Sequence, residues 1–283
     1  MRGLPIVLVL LFITPMALGQ KIFERKRPEI IPTDGKMRRG GLYVAPGITY
    51  ALPRFKDEEE TVFDTGDSSY TATYDPDGRI GLYLEAGWFH ASYDPWIIDY
   101  WDFGLAYKQL KGGESFTGVY TRGDSSANLL GEGSFSEQYL TAHVNANKFI
   151  QTGDYQFLQL SLGVNADYSI GSSREHTGDP LLNQHDFPPD LIAQLHFKLG
   201  YGFKVSKRLL VIPTLETPVF SVEPEDQGFG QLQWFSSLYR PVIFSVRFLI
   251  LRYPKGFDCP PAIKHNALEK ERHKVYKQEN YHP

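Results

Sequence analysis

An unbroken alternation over residues 155–170 constrains the fold more than any other feature of the chain. Even positions from 158 onward are apolar and odd positions are small or polar: Leu158, Leu160, Leu162, Val164, Ala166, Tyr168 and Ile170 against Gln159, Ser161, Gly163, Asn165, Asp167 and Ser169. A period of two indicates a β-strand whose two faces meet different environments. Strands of soluble domains usually run to about 5–6 residues. The length and the polar second face therefore favour a transmembrane barrel strand whose polar side faces the lumen.

The N-terminus predicts export. Met1 and Arg2 precede an apolar run over residues 4–18, and small residues end it at Gly19. This pattern predicts a signal peptide over residues 1–19. The alternative, an uncleaved anchor, is disfavoured because the run is short for a spanning helix. No later stretch reaches about 18 consecutive apolar residues, so we expect no transmembrane helix in the mature chain. Export combined with long alternating strands points to the outer membrane of a Gram-negative cell.

Composition is consistent with that location. Aromatic residues make up 14% of the chain and glycines number 26, and both suit barrel strands with interfacial aromatic girdles. Mean hydropathy is −0.31, which excludes a helical membrane protein. A formal charge of −4 does not suggest nucleic-acid binding. The single cysteine, Cys259, cannot form an internal disulfide bond and lies too far from the cleavage site to carry a lipid anchor.

Eight strands are predicted along the chain. They cover residues 41–52, 79–93, 99–120, 137–150, 155–170, 190–205, 209–222 and 235–253. Connections after the first, third, fifth and seventh are long, and the others are short. Outer-membrane barrels have long extracellular loops and short periplasmic turns, so both termini are expected in the periplasm. The predicted fold is all-β, an antiparallel eight-stranded transmembrane up-and-down β-barrel, with a secreted β-sandwich as the alternative.

A barrel of eight strands has an interior just filled by side chains, so no open pore is expected. Acids and bases inside it must pair, because an unpartnered buried charge is very costly. The alternative role for these groups is a proton path or a ligand cavity. The alternation predicts a charge network in the lumen: Glu85, Asp102, Lys108, His143, Asp167, His196, Lys198, Glu216 and Arg247.

Motifs for catalysis or cofactor binding are sparse. His90 and Ser92 resemble the His-x-Ser pair of outer-membrane lipid A deacylases, but the alternation places them on the lipid side and the strand count places them at the periplasmic end. His176 and His185 flank one loop with Asp179 and Asp186, where a metal site is the alternative to ordinary loop polarity. The acidic residues 57–60 could attract calcium, but their spacing matches no calcium loop. We therefore expect no enzyme activity, no catalytic residue, no metal and no cofactor.

The two ends predict contacts with partners. Residues 20–39 and 254–283 flank the barrel domain at 40–253 and would both be periplasmic. Basic groups recur in both, and disordered linkers are the alternative interpretation. Residues predicted to dock periplasmic or outer-membrane proteins are Arg25, Lys26, Arg27, Arg38, Arg39, Cys259, Lys270 and Arg272.

The chain resembles a family at the level of pattern. The signal peptide, the opening segment Arg38-Arg39-Gly40-Gly41-Leu42-Tyr43-Val44-Ala45-Pro46-Gly47 and the eight strands are similar to small outer-membrane β-barrel proteins of Bacteroidota. The resemblance covers about residues 40–253. It implies an accessory subunit of an envelope or secretion assembly, in contact with outer-membrane lipid. The main alternative is a surface adhesin or ligand-binding barrel acting through its outer loops, and a lipid-modifying enzyme is a third class.

Overall fold

The computed structural model describes residues 30–31, 39–53, 60–92, 97–179, 187–222 and 230–252. No helix in these segments is long and apolar enough to cross a membrane. Ten strands account for most of them: β1 (Gly40–Pro53), β2 (Glu60–Asp64), β3 (Ser68–Ala91), β4 (Tyr100–Arg122), β5 (Ser125–Gln151), β6 (Gln156–Gly178), β7 (Leu191–Lys204), β8 (Leu209–Ser221), β9 (Leu232–Trp234) and β10 (Ser237–Ile250).

Eight of these strands form a closed antiparallel ring. Neighbours in sequence pair from β3 through to β8, β8 pairs with β10, and β1 closes the ring by pairing with both β10 and β3. The short strands β2 and β9 add to β3 and β10 outside the ring order. The predicted eight-stranded up-and-down barrel is therefore confirmed.

The barrel is polar inside and apolar outside. Along β7, exposed or half-exposed positions alternate with buried ones, and the buried set includes Gln194, His196 and Lys198. Facing outward around the ring is an apolar belt that includes Val44, Ile48, Leu82, Leu84, Phe103, Leu105, Leu140, Val144, Leu162, Val164, Leu199, Leu215 and Phe244. A soluble protein rarely exposes so large an apolar surface. This distribution is that of a transmembrane barrel.

The two ends of the barrel differ. We call one end the terminus end. It carries the start of β1, the end of β10 and the turns at residues 152–155 and 205–208. At the other, the extended end, strands β3 to β6 continue beyond the apolar belt. With β2 they form a sheet of residues 60–64, 68–78, 112–122, 125–136 and 171–178, which we call the projecting sheet.

The projecting sheet corrects three sequence predictions of loops. One is residues 172–178, which belong to β6. Residues 125–136 were expected to form a Gly/Ser-rich loop, yet they pair with β4 residue by residue, and a turn at Gly123 and Asp124 replaces the long connection. Asp75, Pro76, Asp77 and Gly78 were expected to lie in a loop but belong to β3. The prediction of a long connection after the third strand was wrong because glycine and serine were counted as strand breakers.

Several glycines of the strands are covered by aromatic rings, which explains why glycine suits these positions in a sheet. A Cβ atom added to Gly118 would come within 3.0 Å of the Tyr70 ring, and one added to Gly131 would meet the ring of Phe116 in the same way. Inside the barrel, Phe157 covers Gly202 equally closely. Glycine in a strand often marks such a close approach. The ring supplies the packing that the absent side chain would otherwise provide.

Candidate functional site: the closed lumen

The structure places all nine residues of the predicted charge network inside the barrel. Each is at most 4% exposed. They comprise four carboxylates, three permanent cations and two histidines, contributed by seven of the eight ring strands: Glu85, Asp102, Lys108, His143, Asp167, His196, Lys198, Glu216 and Arg247. Because the barrel is closed, these groups can satisfy one another but have little contact with water.

Arg247 is the centre of the larger part of the network. One nitrogen, Nη2, lies 2.9 Å from Asp102 and 3.5 Å from Glu85. The guanidinium carbon lies 4.5 Å from the centre of the Tyr43 ring, which is a cation–π contact. The imidazole Nε2 of His143 is 3.0 Å from Glu85 and 2.6 Å from the Tyr43 hydroxyl. Most of these contacts join strands that are not neighbours in the ring.

A second group of charges continues from Glu85 across the barrel. The Lys198 ammonium lies 3.6 Å from Glu85 and 2.9 Å from Glu216. The carboxylate of Glu216 also contacts His196 Nδ1 at 2.9 Å and accepts a hydrogen bond from Asn165 at 3.0 Å. Each carboxylate in this group therefore contacts more than one polar partner, which is the condition under which buried charges are tolerated.

Lys108 and Asp167 form a separate buried pair. Both side chains are 1% exposed, and the Lys108 ammonium contacts the Asp167 carboxylate directly. The Thr141 hydroxyl donates to the same carboxylate at 2.6 Å. Within the described residues, neither charge contacts the Arg247 group, so the two form a self-contained ion pair.

Uncharged amides complete the network. Asn145 and Asn147 each donate to the Asp102 carboxylate, at 2.6 Å and 2.8 Å. Gln159 donates to the Asn147 oxygen at 3.0 Å and to Ser161. Asn147 and Gln159 are not in the predicted network because that prediction covers charged and histidine side chains only. Their signal was present in the sequence, since they share the inward parity of Asn145 and Ser161.

One cluster has the composition of a metal site. Ligand atoms of Glu85, Asp102 and His143 all lie within 4.8 Å of one another. However, Arg247 lies within 3.5 Å of both carboxylates, and Lys198 is 3.6 Å from Glu85. A metal ion here would be repelled by two fixed positive charges that already neutralise the carboxylates. The arrangement favours a structural charge network.

An apolar plug closes the lumen at the terminus end. Ile30 and Ile31, which precede β1, pack into this end and are 7% and 8% exposed. The Lys204 ammonium donates to the Ile30 carbonyl at 2.9 Å. The remaining members of the plug come from the ring strands and their ends: Tyr43, Phe89, Ala91, Tyr100, Phe157, Leu210, Ile212, Leu249 and Leu251.

A second apolar plug closes the extended end. Trp234 of β9 is fully buried and stacks on Phe135 with ring centres 4.2 Å apart and planes 4° apart. Tyr239 packs edge-on against both rings and donates its hydroxyl to the Gly113 carbonyl. Phe235, which directly follows Trp234, has a left-handed backbone conformation (φ 54°), which is rare for a bulky side chain. The sequence pattern predicted a loop up to residue 234 and a strand from residue 235, and it gave no sign of the plug.

The structure does not join His90 and Ser92, and it describes only part of the loop candidates for a metal site. His90 is exposed on the outer surface and Ser92 is half-buried, and no hydrogen bond joins their side chains. His176 stacks on Phe116 with planes 3° apart, and its Nε2 contacts the Asp179 carbonyl at 2.8 Å. His185, Asp186 and residues 57–59 lie outside the described residues.

The predicted docking residues also lie outside the described part of the chain, with one exception. Arg39 immediately precedes β1, and its carbonyl accepts a hydrogen bond from the amide of Ala91 at 2.8 Å. Arg39 therefore belongs to the terminus end of the barrel. The others are Arg25, Lys26, Arg27, Arg38, Cys259, Lys270 and Arg272.

Structural likenesses to solved proteins include two outer-membrane proteins. No protein-family model matches the sequence, and no curated protein matches it. The outer membrane protein OprG from Pseudomonas aeruginosa matches with a TM-score of 0.33 and 12% identity, over 78% of this chain and 98% of OprG. The translocator domain of the autotransporter NalP from Neisseria meningitidis matches with a TM-score of 0.27 and 11% identity, over 74% of this chain and 88% of that domain. At these scores neither likeness bears on function.

Proposed function

We propose that this chain is a closed, non-enzymatic outer-membrane barrel that serves as an anchor or accessory subunit of an envelope or secretion assembly. The observation that supports this most is the lumen: a paired charge network lies between two apolar plugs. A barrel filled in this way has no route for a solute. A substrate would also have no access to the buried histidines and carboxylates.

The apolar belt supports membrane insertion, and the signal-like N-terminus supports export to the outer membrane. In the proposed orientation, the short connections and both termini face the periplasm and the projecting sheet faces outside, as is usual for such barrels. The docking segments at residues 20–39 and 254–283 would then lie on the periplasmic side. The pattern-level resemblance to small Bacteroidota barrels supports the role of accessory subunit.

Purification from isolated outer membranes in a mild detergent tests the proposal. A tag inserted within residues 225–229 leaves both termini free. We expect stoichiometric envelope proteins to co-elute, and we expect deletion of residues 255–283 to remove them. Recovery of the full-length protein alone, as a heat-modifiable monomer, would contradict the accessory role.

A second candidate function is ligand binding or adhesion at the cell surface. The projecting sheet favours it, because strands that continue beyond the belt hold a large surface away from the membrane. Replacing residues 115–132 by a short turn would remove the tip of its longest hairpin, at Gly123 and Asp124, and leave the barrel. Loss of surface binding without loss of protein partners would favour this second function.

A lipid-modifying activity is the weakest of the three classes. Its candidate residues, His90 and Ser92, face outward at the terminus end and form no hydrogen bond with each other. Comparing the lipid A pattern of cells carrying His90→Ala or Ser92→Ala with wild type tests it. We expect no difference.

A further inference from the structure

Two cations lie directly opposite each other where the apolar belt meets the projecting sheet. Arg79 of β3 pairs in register with Lys111 of β4. Below them, towards the terminus end, Ile80 and Leu82 are each 62% exposed and belong to the belt. Like charges in directly opposed cross-strand positions destabilise a sheet. An anion held between the two side chains would remove that repulsion.

Among the described residues, the contacts of the pair neutralise its positive charge only in part. The Arg79 Nε donates to the Asp77 carboxylate at 3.2 Å, with both side chains more than half exposed. Lys111 has no hydrogen bond or ion pair with any described residue. Beside it, Gln109 donates to the Ser136 hydroxyl at 3.2 Å. In the part of the chain that the structure describes, Arg79, Lys111 and Asp77 therefore form a group of two bases and one acid, at the level where lipid headgroups meet a barrel.

Nearer the terminus end, the same part of the wall contains an apolar groove. Its volume is about 480 Å³. Small residues that include Ala142 and Ala166, a cross-strand pair, form its floor. Trp88 and Phe103 stack beside it with ring centres 5.8 Å apart. Most of the belt carries large side chains at outward positions, so the groove is a local depression in the surface that faces lipid.

The separation of the cation pair from the groove matches the dimensions of a lipid. Leu105 lines the groove and Lys111 lies six residues further along β4. At about 3.3 Å per residue this is roughly 20 Å along the strand. With a strand tilt of about 40°, it corresponds to a depth of roughly 15 Å, or half of a hydrocarbon core that is about 30 Å thick. An acyl chain attached to a headgroup at Arg79 and Lys111 would therefore reach the groove.

We propose that this strip of the wall binds one phosphate-bearing lipid, with its phosphate between Arg79 and Lys111 and an acyl chain in the groove over Ala142 and Ala166. The inference rests on the membrane location in the proposed function but not on the accessory role. A barrel that retains this lipid and co-elutes with no protein would keep the inference and end the accessory-subunit proposal.

Native mass spectrometry of the full-length, detergent-purified protein tests the site. Defined probes are added back after delipidation: phosphatidylglycerol, diacylglycerol (chains without phosphate) and inorganic phosphate. We expect wild type to retain phosphatidylglycerol, and the double variant R79Q/K111Q to retain it about tenfold less, because hydrogen bonds to charged groups are among the stronger ones. Ala142→Leu fills the groove and should lower retention similarly.

Matched controls separate the site from general effects. Lys207→Gln removes an exposed cation at the terminus end, and Ala146→Leu makes the groove-filling change elsewhere on β5. Both should retain lipid as wild type does, and only heat-modifiable protein is scored, so unfolded variants do not count. Full retention by R79Q/K111Q or by Ala142→Leu would overturn the inference. So would displacement of the lipid by inorganic phosphate alone, equal retention of diacylglycerol, or an equal loss in Lys207→Gln.

Discussion

At the scale of single residues, the barrel and the projecting sheet both depend on glycines that lie beneath aromatic rings. Gly202 under Phe157 and Gly118 under Tyr70 leave no room for even a methyl group. These pairs connect two features of the composition, the abundance of glycine and the abundance of aromatic residues.

Gly202→Ala is expected to destabilise the barrel by about 1–3 kcal/mol, the usual cost of overpacking a tight site. The added Cβ would lie within 3.0 Å of the Phe157 ring. Gly153→Ala is the control, because its Cβ would meet nothing nearer than 3.6 Å and its φ is not positive. Urea unfolding in detergent micelles, followed by heat-modifiable mobility, measures both. Equal stability of the two variants would contradict the account of these pairs.

Lys108→Met is expected to destabilise the protein by about 3–5 kcal/mol, because it leaves the Asp167 carboxylate buried without its partner. The double variant Lys108→Met with Asp167→Asn should recover part of that loss, since no uncompensated charge remains. The same urea measurement gives the coupling between the two sites. Simple additivity of the two single changes would mean that the pair does not act as an ion pair.

At the scale of elements, strand parity was predictable from the sequence and strand length was not. Once residues 155–170 identify a two-sided strand, the inward direction of Asp167 follows from its parity, and neighbouring strands can be assigned in the same way. The projecting sheet was not predicted because residues 131–136 are rich in glycine and serine, and the aromatic rings that pack on them lie on other strands. The plug around Trp234 was not predicted because its stacking partner Phe135 is distant in sequence. The period of a strand gives no information about such long-range contacts.

Trp234→Ala is expected to destabilise the barrel by about 3–5 kcal/mol, the typical cost of removing a large buried aromatic side chain. The barrel of this variant should nevertheless stay closed to ions, because the charge network next to residue 234 still fills the lumen. Urea unfolding and planar-bilayer recordings on the same preparation check both statements. Stepwise currents in this variant, with none in wild type, would show that the plug rather than the network closes the barrel.

The projecting sheet is expected to loosen at alkaline pH. Burial raises the pKa of the Tyr70 phenol from its ordinary 10.0 to about 12. Because the folded state holds the proton more tightly than the unfolded state, this contribution to stability is complete below pH 10.0 and is lost as the pH rises towards about 12. Tyrosinate absorbance compared between wild type and Tyr70→Phe measures the titration. A Tyr70 that titrates at its ordinary value would contradict its burial.

At the scale of the whole molecule, the described chain has three levels along the barrel axis: an apolar plug at the terminus end, a charge network in the middle and an aromatic plug at the extended end. Ion pairs and amide hydrogen bonds connect the middle level across the lumen, and the plugs limit its contact with water. Sequence alone predicted the middle level. The plugs depend on Ile30, Ile31 and Trp234, which come from segments beside the ring strands, and their position required the structure.

Single-channel recording of the purified protein in planar bilayers tests the closed lumen most directly. The heat-modifiable, folded protein is inserted at neutral pH, and insertion is verified by protection of the belt from protease added to one side. The account predicts no stepwise conductance, because charges and rings fill the barrel from end to end. Reproducible conductance steps from the folded wild-type protein would contradict it.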